Sequence, residues 1–189
     1  GKKVHKHLKA DHPRILDYAN SDYRSDFLDI WLSANCYFSL VTNTGIGDVV
    51  SIFRRPVAIV NALPLGYINT SFNTDSIWLP KKIIWKNSKK ELTLREQINN
   101  GTIGFLHEED YENAGVDLID NSPRDITQTV LEIDAKLTGT WVPQPIDEVH
   151  QDKFWQILQT WERFPKLHGK LQSKMPDSFL RENHKWFLA

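Results

Sequence analysis

Small hydroxyl, amide and glycine residues crowd into one run, Thr42-Asn43-Thr44-Gly45-Ile46-Gly47-Asp48. Hydroxyls and a side-chain amide can donate hydrogen bonds, and glycines let bare backbone N–H groups approach an anion. The run lies between the apolar segment starting at Cys36 and the helical pattern Val49 to Phe53, which leads through Arg55-Pro56 to a second apolar stretch, Val57 to Asn61. A strand, turn, helix and strand in that order put unpaired amides and a partial positive charge at the carboxyl end of the first strand, where anions bind. The spacing matches neither the dinucleotide fingerprint nor the phosphate-binding P-loop, because no Lys-Ser/Thr follows the glycines. A tight connection without a ligand would use the same glycines, so these residues alone leave both uses open.

Other chemistry-bearing residues are less well placed. Arg24 sits in a polar turn and is the candidate cation for a phosphate; a solvated residue, or an ion pair with Asp22 or Asp26, is the alternative. Asp26, Asp29, Glu108, Glu109 and Asp110 are available carboxylates, but acids on helix surfaces and loops are usually solvated, so no catalytic base is named. His5, His7 and His12 alternate in a basic terminus with no nearby acid or Cys to complete a metal site, and no metal is expected. Cys36, the only cysteine, reads as a structural thiol in an apolar stretch, which suits a reducing compartment.

The elements that must position these residues follow from periodicity. Ile15 to Ala19 is a strand candidate, and Ser25 caps a helix whose Phe27, Ile30, Trp31 and Ala34 share a face. Ala62 to Asn87, rich in Pro, Asn, Thr and Ser, reads as a long loop with brief extended pieces at Ser76 to Leu79 and Ile83 to Trp85. Thr93 and Glu96 form a capping box for a helix stopped by Asn100-Gly101. Val116 to Asp120 is a further strand; Ser122 and Pro123 then open a helix with Ile126, Val130, Ile133 and Leu137 on one side, ending near Gly139. The alternation predicts an α/β fold, a Rossmann-like, mostly parallel sheet with helices on both faces. A C-terminal helical tail carries Phe154, Ile157, Leu158 and Trp161, then Phe179, Leu180, Trp186 and Phe187, as rings that cap the sheet. The expected division is a basic segment over 1–14, a Rossmann-like domain over 15–145 and a helical extension over 146–189.

Composition narrows the function. With 23 Lys plus Arg against 24 Asp plus Glu, the net charge of −1 provides no general field for nucleic acid or an anionic membrane. Lys81, Lys82, Lys86, Lys89 and Lys90, with Trp78 and Trp85 among them, form a local basic patch that reads as a solvated loop face, so nucleic acid is not an expected partner. No apolar run approaches the about 20 residues that cross a bilayer, and the expected location is the cytoplasm, extending at most to the inner face of the membrane. The chain begins with Gly at a basic segment, which reads as a cut inside a longer polypeptide, a tag remnant or a processed terminus; on the first reading a missing N-terminal domain is an expected partner.

Five segments carry a resemblance: RSDFLDIWLSANC, FRRPVAIVN, LTLREQI, NSPRDITQTVLEI and the ending SFLRENHKWFL. Together they resemble the C-terminal half of a family of bacterial glycosyltransferases found with surface-polysaccharide genes, over nearly the whole chain. The strand, small-residue turn, acidic helix and Pro-containing strand are also similar to the donor domain of GT-B glycosyltransferases, heptosyltransferases included. That resemblance implies transfer of a sugar from a nucleotide-sugar to a glycan or lipid-linked acceptor without cofactor or metal, with Thr44 and Gly45 at the donor diphosphate. Asp48 would stand where the family more often has Glu at the ribose, and no heptosyltransferase-type His follows the glycine. A noncatalytic module that binds a nucleotide, glycan or protein, and a nucleotide-sugar epimerase of similar fold, are the competing readings.

Overall fold

The structure is a computed structural model, and it describes residues 6–69 and 76–189. Helix α1 (Asp26–Asn35) starts where the Ser25 side chain accepts the Leu28 amide. Strand β1 (Ser39–Val41), helix α2 (Gly45–Ile52) and strand β2 (Val57–Ala62) then complete the expected βαβ unit, with Ser39, Leu40 and Val41 paired in parallel to Val57, Ala58 and Ile59. Strand β3 (Ile77–Pro80) lies parallel on the other side of β2, giving a three-stranded sheet in the order β1-β2-β3. The segment before helix α8 continues this edge. Lys174 and Ile77 form a parallel bridge, the Trp78 amide donates to the Lys174 carbonyl at 2.9 Å, and the Lys174 amide donates to Ser76 at 3.0 Å.

Two expectations about strands are corrected. Ile15 to Ala19 forms no strand; Tyr18–Asn20 is a single 3-10 turn, in which the Asp17 carboxylate accepts from Leu8 N and Asn20 Nδ2. Local side-chain bonds of this kind compete with a ladder, and here they hold the chain off the sheet. The strand expected at Val116 to Asp120 forms as β5 (Val116–Ile119), but it leaves the parallel sheet. It pairs antiparallel with β4 (Lys82–Trp85), which follows β3 after Lys81 alone. Asn61, with φ 52°, and Asn121 tie the two sheets together: each backbone amide donates to the other's side-chain oxygen, and Asn121 Nδ2 donates to the Pro80 carbonyl at 2.7 Å. Short polar side chains tolerate this left-handed backbone better than branched ones. The chain is therefore α/β with a small parallel sheet, and the wider Rossmann-like sheet is not formed among the described residues.

Helices cover both faces of that sheet. Helices α3 (Leu94–Asn99), with its expected Thr93–Glu96 capping box, and α4 (Glu108–Asn113) precede β5, and α5 (Pro123–Leu137) follows it behind the Ser122 cap. Ala58 and Ile77 point to α5 and pack with Ile133, while their alternate neighbours Val57, Ile59 and Trp78 join the main core. That core draws Phe154, Ile157 and Leu158 from α6 (Pro145–Leu158), Phe164 from α7 (Phe164–Leu167), and Phe179, Leu180 and Phe187 from α8 (Asp177–Phe187). The segment expected as a helical extension over 146–189 thus supplies much of the interior under the sheet.

Two buried polar devices hold this arrangement. Glu132 of α5 has a fully buried carboxylate that accepts the Asp177 amide at 2.8 Å, the Ser178 amide at 2.9 Å, the Ser178 hydroxyl at 2.7 Å and Lys136 Nζ at 2.7 Å. It caps α8 from another helix, where negative charge is favoured. Asp147 accepts both nitrogens of a bidentate Arg181 contact between α6 and α8, and this pairing lowers the Asp147 pKa below the ordinary carboxylate value.

The apolar stripe of α1 points the unexpected way. Asp29, Ser33 and Cys36 lie towards the protein, whereas Phe27 is 72% exposed and Ile30 and Trp31 are about half exposed. Ser33 Oγ bonds the Asp29 carbonyl at 2.7 Å, so the small polar side of the helix meets its neighbours. α1 makes its closest helix packing with α2, beyond the edge strand β1, and none of the described residues covers its outer flank.

Candidate functional site

The Thr42 to Asp48 run forms the corner between β1 and α2. Thr44 takes the extended backbone of an N-cap, φ −136° and ψ 154°, but its side chain makes no cap bond; its hydroxyl donates to the Thr42 carbonyl at 3.3 Å. Asn43 Nδ2 donates to the Leu63 carbonyl at 2.8 Å, which anchors the corner to the end of β2. The Gly47 amide turns back to the Thr44 carbonyl at 2.9 Å. Among the described residues, the amides of Gly45 and Ile46 have no acceptor. A helix start normally satisfies such groups with a cap, with water or with a ligand.

The two glycines do different work. A Cβ on Gly45 would meet nothing within 4 Å, so the space over the first helical amides is open. A Cβ on Gly47 would stand 3.0 Å from Val41 Cγ2, so this glycine lets α2 lie close on β1. Helix and strand approach closely at Gly47, and the helix start stays bare two residues earlier.

A cleft of about 610 Å³ opens over this corner, at the carboxyl end of β1 and beside Ile59 and Trp78 of the neighbouring strands. Thr42, Asn43, Thr44, Gly45, Gly47 and Asp48 line it; Ile46 does not. The facing wall comes from distant sequence: Tyr67, Asn69, Trp78 and His168. Trp78 is 7% exposed, and its buried indole N–H has no partner among the described residues. An unpaired buried donor costs about 1–3 kcal/mol, which a ligand oxygen would recover. His168 Nε2 lies 2.8 Å from the Gly66 carbonyl, and its ring tilts against Phe164 with centroids 4.5 Å apart. Gly66 is in turn fixed by Trp161, whose ring would stand 2.6 Å from an added Cβ. Tyr67 makes an edge contact with the same Trp161.

The cleft is polar but contains no strong cation: no Lys or Arg is among the described residues that line it. Arg24, the expected phosphate partner, is instead at the start of α1, 3.0 Å from Asp29 and 3.5 Å from Asp26. The Asp29 carboxyl is held below its ordinary pKa by a hydrogen bond from Tyr18 and then by Arg24. Asp48 is the only carboxylate on the described walls. Cys36 is partly buried, and burial raises its thiol pKa, as in an unreactive cysteine. His7 approaches Asp17 at 3.4 Å, and His5 lies outside the described residues. Among the described residues, no group of three His, Cys, Asp or Glu side chains is placed to hold a metal, and no helix is long and apolar enough to cross a membrane. In the lysine patch, Lys81 pairs with Asp120 at 2.8 Å and Lys89 with Asp117 at 2.9 Å, while Trp78 is drawn into the cleft wall.

Sequence reasoning missed Tyr67, Asn69, Trp78 and His168. Trp78 had a visible signal, the continuous apolar run Ile77-Trp78-Leu79, which marks a parallel strand buried on both faces. His168 had none, because its loop reaches the cleft only through the packing of α6 and α7. Comparison of the chain with protein-family models, with curated proteins and with solved structures finds no match.

Proposed function

We propose that the cleft over Thr42 to Asp48 is the donor site of a glycosyltransferase, which binds the diphosphate of a nucleotide-sugar and passes the sugar to a glycan or lipid-linked acceptor in surface-polysaccharide synthesis. The observation that carries this reading is the pair of acceptorless amides at the start of α2, Gly45 and Ile46, of which Gly45 lines a polar cleft of about 610 Å³ at the carboxyl end of β1. Two amides at a helix start, the Thr42 and Thr44 hydroxyls and the Trp78 indole N–H are donors suited to a phosphate oxygen whose charge grows as the sugar–phosphate bond breaks. Asp48 suits ribose hydroxyls, which donate, and would repel the phosphates themselves. The resemblance over nearly the whole chain points the same way.

A second reading has its own observation. Asp48 is the only carboxylate on the described walls and no Lys or Arg joins it, so the cleft by itself suits binding better than turnover. A noncatalytic nucleotide-binding module, or a donor half that needs a second domain for its base and cation, shares that property. Incubation of the chain, and of the full-length product of its reading frame, with radiolabelled nucleotide-sugars separates these cases. Sugar transfer to an added glycan or lipid-linked acceptor supports the transferase. Saturable binding with no product under either condition supports the module, and an epimerised nucleotide-sugar without acceptor supports an epimerase.

A further inference from the structure

A second cavity, of about 380 Å³, lies at the other end of β3, between the end of α5 and the connection to α6. Its walls are divided by chemistry. Ile77, Ile133, Leu137 and Pro143 provide an apolar interior, and the volume falls within the range of small-molecule sites. Trp141 stands in the same wall with a buried indole N–H that has no partner among the described residues.

The charges around it differ in availability. Lys136 is committed, 2.7 Å from Glu132 and 2.9 Å from Asp177. Asp177 also accepts Gln151 Nε2 at 2.9 Å, so its carboxylate is well satisfied. Lys174 is exposed at the cavity, and its ammonium has no acid partner among the described residues. The Trp141 ring has Lys136 and Arg181 over it, at 5.3 and 5.2 Å from the centroid. Those cations occupy the ring surface on which a sugar would stack, which disfavours a carbohydrate here.

We infer that this cavity is a small-molecule site, separate from the cleft over α2, for a compound with one negative charge on an apolar body, such as an aromatic or branched carboxylate. The apolar part fills the space lined by Ile77, Ile133 and Leu137, and the carboxylate pairs with Lys174 at the mouth and accepts from Trp141. Lys174, without an acid partner among the described residues, matches one negative charge; a second charge would meet Asp177. The inference does not depend on the donor-site reading.

Proton–nitrogen correlation spectra of the full chain test it, because each tryptophan indole gives its own signal, assigned by Trp141→Phe and Trp78→Phe. Titration with 1-naphthoate is expected to move the Trp141 signal saturably while leaving Trp78 in place. Lys174→Glu, at an exposed side chain whose folding is checked by thermal melting, is expected to weaken that binding at least tenfold, and the neutral 1-naphthylmethanol is expected to bind the native chain at least tenfold more weakly than the acid. An unmoved Trp141 signal at millimolar naphthoate, or equal affinity with Lys174→Glu or with the alcohol, would overturn the inference. Nucleoside diphosphates in the same experiment report on Trp78, so failure at one site is distinguished from failure at the other.

Discussion

Gly45→Asp separates ligand binding from folding at the proposed donor site. Nothing lies within 4 Å of the added Cβ, and Gly45 is not among the residues with positive φ, so the substitution meets neither a clash nor backbone strain. Aspartate at the first position of a helix is favoured by the helix dipole by about 0.3–1 kcal/mol, and replacing glycine reduces the freedom of the unfolded chain. The melting temperature should hold or rise slightly. Binding should respond in the opposite sense. A carboxylate about 4 Å from a phosphate charge is repelled by about 4 kcal/mol at an effective dielectric of 20; the freedom of an exposed side chain to swing away leaves roughly 2–3 kcal/mol. That corresponds to a loss of about 30- to 150-fold in affinity for a nucleoside diphosphate. Calorimetric titration and thermal melting on the same samples read both effects. Undiminished affinity in a stably folded variant would refute the assignment of the phosphates to this corner.

Other consequences concern the frame around the site. Glu132→Ala should destabilise the fold by about 3 kcal/mol in urea titrations, because it leaves two α8 amides and the Lys136 ammonium without their buried acceptor. His150 is buried against His184, with ring centroids 4.3 Å apart, and burial followed by repulsion from His184 depresses its pKa below 6.5. The unfolded chain therefore takes up this proton first, and stability should fall as pH drops from 6.5 towards the depressed value; His150→Gln should flatten that slope in denaturant melts. Asp147, whose pKa is lowered by Arg181, should add a second loss as pH falls below 3.8 and through its folded value. Phe27→Asp combined with Trp31→Asp should change stability by no more than about 0.5 kcal/mol, since both side chains are exposed, and a fall of several kcal/mol would show that the outer face of α1 is buried in solution.

The parts of the fold that were legible in the sequence are those set by local chemistry. Ser25, Thr93 and Ser122 cap the helices they were expected to cap, and the small-residue corner forms between β1 and α2 because glycine and threonine serve that turn whatever surrounds it. What depends on pairing partners was not legible. Val116 to Ile119 has the composition of a strand in either orientation, and only the immediate succession of β3 and β4 decides that it runs antiparallel. The direction in which α1 turns its stripe is likewise invisible, since periodicity identifies a face but not what covers it. At the cleft, the contiguous half of the wall was readable and the half built by Trp78 and His168 was not, because contacts across such long stretches of chain leave no spacing to recognise.

The most direct measurement of the central claim is the backbone amide spectrum of the chain titrated with a nucleoside diphosphate, beginning with uridine and guanosine diphosphates. The Gly45 and Ile46 amides should shift downfield together with the Trp78 indole N–H, in a saturable manner and to a much smaller extent with the nucleoside alone. Amides at this corner that stay unmoved with every nucleoside diphosphate, or shifts confined to other surfaces, would contradict it.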